Sequence, residues 1–112
     1  AASIAALAAL NNTRLPKVED GSIIYTEYAG DLKLSCQPLL STTVKAAGYL
    51  LVDPNKLEEK ALHARFHFGS TEKEVLTAFQ KGGSGSFTPQ ELEKAIEMGL
   101  KNTKTIRKVL KV

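Results

Sequence analysis

Cysteine occurs once in this chain of 112 residues, at Cys36, so an internal disulfide is excluded and no thiolate cluster is available to hold a structural metal. No stretch approaches the roughly 18 apolar residues of a membrane span, and none is expected to cross a bilayer. The apolar start, Ala1–Leu10, has no basic region before it and no convincing cleavage site. It reads as an N-terminus left after loss of an initiator Met, not as a signal peptide. Neither sign of charge dominates: the formal net charge is +3, which permits a polyanionic partner without requiring one. Internal repeats are absent, and no Ser/His/Asp or Cys/His grouping has an order or spacing with chemical meaning. The chain is therefore expected to be a non-enzyme with no metal, cofactor or small-molecule substrate. Hydrophobic residues make up 43% and charged residues 24%, the balance of one globular domain spanning 1–112.

The organising stretch is Ala61–Phe79. In its first half Leu62, Ala64, Phe66 and Phe68 alternate with His63, Arg65 and His67, the period of a strand with one oily and one basic face. After Gly69, the spacing of Thr71 and Glu74 reads as a capping box, and Val75, Leu76 and Phe79 then recur at helical intervals. The expectation is a mainly β half, residues 1–68, followed by a helical half, residues 69–112.

Upstream, Ala1–Leu10 is open between helix and strand, and Asn11–Gly21 reads as a loop because of Pro16 and Gly21. Ser22–Tyr28 and Leu32–Gln37 read as a hairpin, with Lys33, Ser35 and Gln37 on its polar side. A further strand is expected to end at Val52, and Lys56–Lys60 to form the charged tip of a long hairpin whose arms are Tyr49–Val52 and Leu62–Phe68. Downstream, Lys81–Ser86 reads as a flexible connector. Phe87–Leu92 is a complete helix start: Thr88 caps, Pro89 fits the first turn, Glu91 reaches back, and Phe87 staples onto Leu92. Leu92, Ala95, Ile96, Gly99, Thr103, Ile106 and Leu110 then keep helical period. The last turns, from Lys101, are basic and without acids.

Three features have plain structural readings. His63 and His67 share a strand face but stand roughly 13 Å apart, too far to hold one ion. Cys36 falls on the apolar side of its expected strand, as a buried thiol. The Gly-rich connector lacks the residue order of a phosphate-cradling loop.

Two resemblances follow. The words AFQKGGSGSFTPQELEKAI resemble an EF-hand, with Gly85 central and Glu91 terminal, but Gln80, Gly82 and Ser84 stand where calcium needs oxygen ligands. The order of elements, from the Ala-initiated apolar start through SIIYTEY–LKLSCQ and ALHARFHF to two C-terminal helices, resembles the coat proteins of small single-stranded RNA bacteriophages. That resemblance implies an α+β fold in which an antiparallel sheet of about 4–6 strands precedes two C-terminal helices, in an intertwined homodimer. It implies a capsid protein that self-assembles into a virion, made in the host cytoplasm, whose partners are itself and single-stranded RNA, with no membrane. The RNA-binding face it implies carries Lys33, Ser35, Gln37, Lys45, His63, Arg65 and His67. The alternative is a calcium-free, EF-hand-like adaptor that grips a protein partner.

Overall fold

The computed structural model describes residues 1–111. Its contacts divide the chain into two units, Ala1–Gln37 and Pro38–Val112.

The first unit contains helix α1 (Ala2–Asn11) and strands β1 (Arg14–Glu19) and β2 (Ser22–Asp31), which pair antiparallel. Alanine has the highest intrinsic helix propensity, and that decides the form of the N-terminal segment. The Asn12 amide closes the helix by donating to the Ala8 carbonyl at 2.8 Å, and the Thr13 hydroxyl donates to Ala9 at 2.9 Å. The stretch expected as a loop holds β1 instead. Asp20 and Gly21 both take positive φ, 49° and 77°, as a two-residue turn of type I′ requires. Pro16, which contributes no N–H to the ladder, sits where the β1–β2 register breaks. Residues 32–38 are irregular, so the expected Leu32–Gln37 strand does not form. The alternation survives in exposure alone: Lys33 and Ser35 are exposed, while Leu32, Leu34 and Cys36 are half-buried.

The second unit is an antiparallel four-stranded sheet in the order β4-β3-β5-β6, formed by β3 (Leu39–Ala46), β4 (Tyr49–Val52), β5 (Ala64–Ser70) and β6 (Leu76–Gly82). Ala47 and Gly48, with φ of 47° and 82°, make the tight turn from β3 to β4. Lys56–Lys60 is a short helix, α2, capped by Asn55. It is not a hairpin tip: β3 lies between β4 and β5, so the two expected arms are not neighbours.

Among the described residues one long helix follows, α3 (Pro89–Leu110). It begins as its sequence dictates, with the Thr88 hydroxyl accepting from the Glu91 N–H at 3.2 Å and the Glu91 carboxylate accepting from the Thr88 N–H at 2.8 Å. The other expected helix is a turn and then β6. There the Thr71 hydroxyl accepts from the N–H groups of Lys73 and Val75 at 3.3 and 3.2 Å, and Glu74 takes a φ of 59°, which ends any helical continuation. A strand in place of the entering helix also removes the EF-hand-like arrangement, and with it the structural basis of the adaptor reading.

Helix α3 covers one sheet face. Phe66, Phe68 and Ala95 form the buried centre, with Leu76, Phe87, Leu92, Ile96 and Leu100 packed around them. Ala95, Gly99 and Thr103 are the small residues that let the helix backbone approach the sheet. A Cβ on Gly99 would stand 2.4 Å from the Phe68 ring and 2.8 Å from Ser41 Oγ. The architecture is thus α+β with antiparallel sheets and a C-terminal helix.

Candidate nucleic-acid interface

The alternation read along β5 is realised: Ala64, Phe66 and Phe68 are buried, while Arg65 is exposed and His67 half-buried. Register then decides their neighbours on the face away from α3. Thr42, His67 and Gln80 stand in one row across β3, β5 and β6, and Val44, Arg65 and Gly82 in the next. The Thr42 hydroxyl and His67 Nδ1 share a hydrogen bond of 2.8 Å. Burial holds the His67 imidazole below its ordinary pKa, and the neighbouring Arg65 charge adds to the effect, so the ring is neutral at pH 7. The Arg65 side chain lies across Gly82, where a Cβ would meet Arg65 Nε at 2.6 Å. One fixed cation, a neutral imidazole, a hydroxyl and an amide therefore occupy a small area of sheet.

Two other expected interface residues of the second unit, Lys45 and His63, are placed elsewhere in it. Lys45 is on the α3 side, with Nζ 2.6 Å from Glu91 Oε1 and 3.3 Å from the Ser86 carbonyl. Its hydrogen bond, followed by that from the Thr88 backbone, holds the Glu91 carboxyl below the usual range. His63 precedes β5 and acts through its backbone: its N–H donates to the Lys45 carbonyl at 2.8 Å and its carbonyl accepts from the Gly85 N–H at 2.7 Å. Gly83 and Gly85 pass so close that a Cβ on either would stand 2.8 Å from that carbonyl oxygen. Lys81–Ser86 is therefore a close crossing rather than a flexible connector. Lys33, Ser35 and Gln37 belong to the first unit. Of the four that belong to the second unit, Lys45, His63, Arg65 and His67, the last two stand together on the sheet face away from α3. Thr42 and Gln80 were missed because only strand register reveals them. Among the described residues, no three His, Cys, Asp or Glu side chains gather as a metal site.

Residues 36–102 match the family model described as the 3′ exoribonuclease family, domain 2. Over 114 residues the chain is 36% identical to the exosome complex component Rrp42 of Thermococcus gammatolerans, an alignment covering 98% of this chain and 42% of that protein. It is also 36% identical over 103 residues to the protein of the same name from Methanothermobacter thermautotrophicus, covering 89% of this chain and 38% of the other. An archaeal exosome core structure superposes with a TM-score of 0.77 at 20% identity, covering 94% of this chain and 41% of that one. The chain spans about two fifths of the length of the curated relatives it matches. These matches overturn the coat-protein resemblance, and with it the capsid role, self-assembly into a virion, bacteriophage origin and virion location. An order of elements shared by many α+β proteins carried that resemblance, and element order does not identify a function. The intertwined homodimer has no support in them either.

Proposed function

The chain belongs to the 3′ exoribonuclease family, through that family's domain 2, and from this premise we propose that it serves an exosome-type RNA-degrading assembly as an RNA-contacting subunit element. The family match carries the reading, because residues 36–102 contain the whole four-stranded sheet and the first 14 of the 22 residues of α3. The group formed by Thr42, Arg65, His67 and Gln80 supplies chemistry that fits. A guanidinium neutralises phosphate and releases counterions, while hydroxyl, amide and neutral imidazole groups suit sugar hydroxyls and the edges of unpaired bases.

The role proposed for these residues is binding and positioning, with bond cleavage left to the remainder of the assembly. Its partners are RNA and companion subunits of the same family. Four of the described acids are paired with lysines: Glu91 with Lys45, Glu74 with Lys104 at 3.2 Å, and Glu19 and Glu27 with Lys17 at 2.6 and 3.0 Å.

The test is fluorescence anisotropy of a labelled single-stranded RNA with the full chain. Arg65→Ala should weaken binding several-fold and reduce the magnitude of the salt slope by about 0.7, the value of one phosphate contact. Unchanged affinity and slope would remove the sheet face from the interface.

A further inference from the structure

We infer that the last turns of α3 form a second phosphate-backbone contact, separate from the sheet face. Lys101, Lys104, Lys108 and Lys111 are all exposed and recur at intervals of three, four and three residues. That spacing puts Lys101, Lys104 and Lys108 on one side of the helix, along about 10 Å of its axis, and Lys111 follows as its left-handed C-cap. Thr105 lies among them, its hydroxyl turned back to the Lys101 carbonyl at 3.1 Å. No acid interrupts the stripe, and the exposed Val109 and Leu110 lie only at its C-terminal end, between Lys108 and Lys111.

The helix dipole explains only part of this. A cation near a C-terminus is stabilised within the last turn, which covers Lys108 and Lys111 but not Lys101 or Lys104, and like charges three and four apart oppose the helix. Lys104 has Glu74 at 3.2 Å, whereas Lys101, Lys108 and Lys111 form no ion pair among the described residues. The stripe also borders a cleft of about 350 Å³ between α3 and the Thr71–Glu74 turn. Lys104 and Lys73 stand on its lining, with Thr71, Thr103 and the buried Arg107. Glu72 and Glu74 offset part of that charge, but with the stripe included the region remains cationic. A protein partner would require an apolar centre with lysine at the margin. A row of hydrated lysines without such a centre suits a flexible polyanion, here single-stranded RNA.

The inference rests on the RNA-handling role proposed above, and the experiment separates the two. Labelled single-stranded RNA is titrated with the full chain from 50 to 200 mM salt, comparing wild type, K101Q/K108Q/K111Q and R65A, with circular dichroism confirming helix content. Loss of three contacts should reduce the salt slope by about 2 and the affinity by about tenfold. The same loss with R65A silent would keep the stripe and discard the sheet face. Wild-type affinity and slope in the triple variant, with R65A weakened, would discard the stripe alone. Competition by poly-glutamate as effective as by unlabelled RNA would overturn the inference in favour of an acidic protein, and absence of wild-type binding would overturn both.

Discussion

Gly99→Ala is the substitution that weighs local propensity most directly against packing. In an exposed helix interior, alanine in place of glycine stabilises by about 1 kcal/mol. Here the added methyl would stand 2.4 and 2.6 Å from Cε1 and Cζ of Phe68 and 2.8 Å from Ser41 Oγ. Ordinary carbon contacts begin near 3.5 Å, so α3 must lift from the sheet or the Phe68 ring must turn. That ring is 0% exposed and enclosed in the core with Phe66 and Ala95. Overpacking of this kind costs about 1–3 kcal/mol, and a clash more than 1 Å inside contact against an immobile ring belongs at about 3. After subtracting the propensity gain, a net loss of about 2 kcal/mol remains. For a domain of this size that lowers the melting temperature by roughly 10 °C. Urea unfolding monitored by circular dichroism should show an earlier midpoint at unchanged slope. In a Phe68→Leu background the penalty should shrink, because the obstructing ring is gone. A stabilised Gly99→Ala protein would refute the close contact of helix and sheet.

Other consequences can be measured independently. Ser41 Oγ is buried with no hydrogen-bond partner among the described residues, so Ser41→Ala should raise stability by about 1 kcal/mol by removing an unpaid desolvation; a loss of that size in chemical denaturation would reveal a bond to this hydroxyl. Ala47 holds a φ of 47° in the β3–β4 turn, and Ala47→Asn, suited to that region, should gain about 0.5–1 kcal/mol, with a lowered melting temperature as the contrary result. His67 is harder to protonate folded than unfolded, so the unfolded chain binds more protons below the ordinary pKa of 6.5. Stability should therefore fall as pH drops from about 6.5 through the lower folded value, and His67→Gln should flatten that limb of the pH–stability curve. An unchanged limb would mean that another group titrates there.

The sequence was most readable where local and tertiary demands coincide. The start of α3 is an example: Thr88, Pro89 and Glu91 fulfil a grammar that needs no partner beyond the helix itself. The two faces of β5 were legible for the same reason, since a half-buried strand must alternate. Reading failed where one local phrase serves two structures. Thr71 and Glu74 have capping-box spacing, yet the Thr71 hydroxyl binds the backbone of a turn, and an edge strand follows. The Asp20-Gly21 pair was itself a hairpin signal, obscured by Pro16, which looked like a breaker until placed at a break in the ladder. For the interface, Arg65 and His67 could be found by alternation, but Thr42 and Gln80 needed the register of β3 and β6. Lys45 looked like a ligand-facing cation because nothing local shows that the α3 cap lies beside it.

The crossing of Lys81–Ser86 over the start of β5 bears on how this protein tolerates change in length. Surface loops ordinarily absorb inserted residues at little thermodynamic expense. This one fixes two things at once, the lie of the Arg65 guanidinium over Gly82 and the point from which the Thr88 cap launches α3. One extra residue between Gly82 and Ser86 would misplace a charged group on one side of the sheet and the helix origin on the other, so variation in loop length should be confined to other connections of the fold.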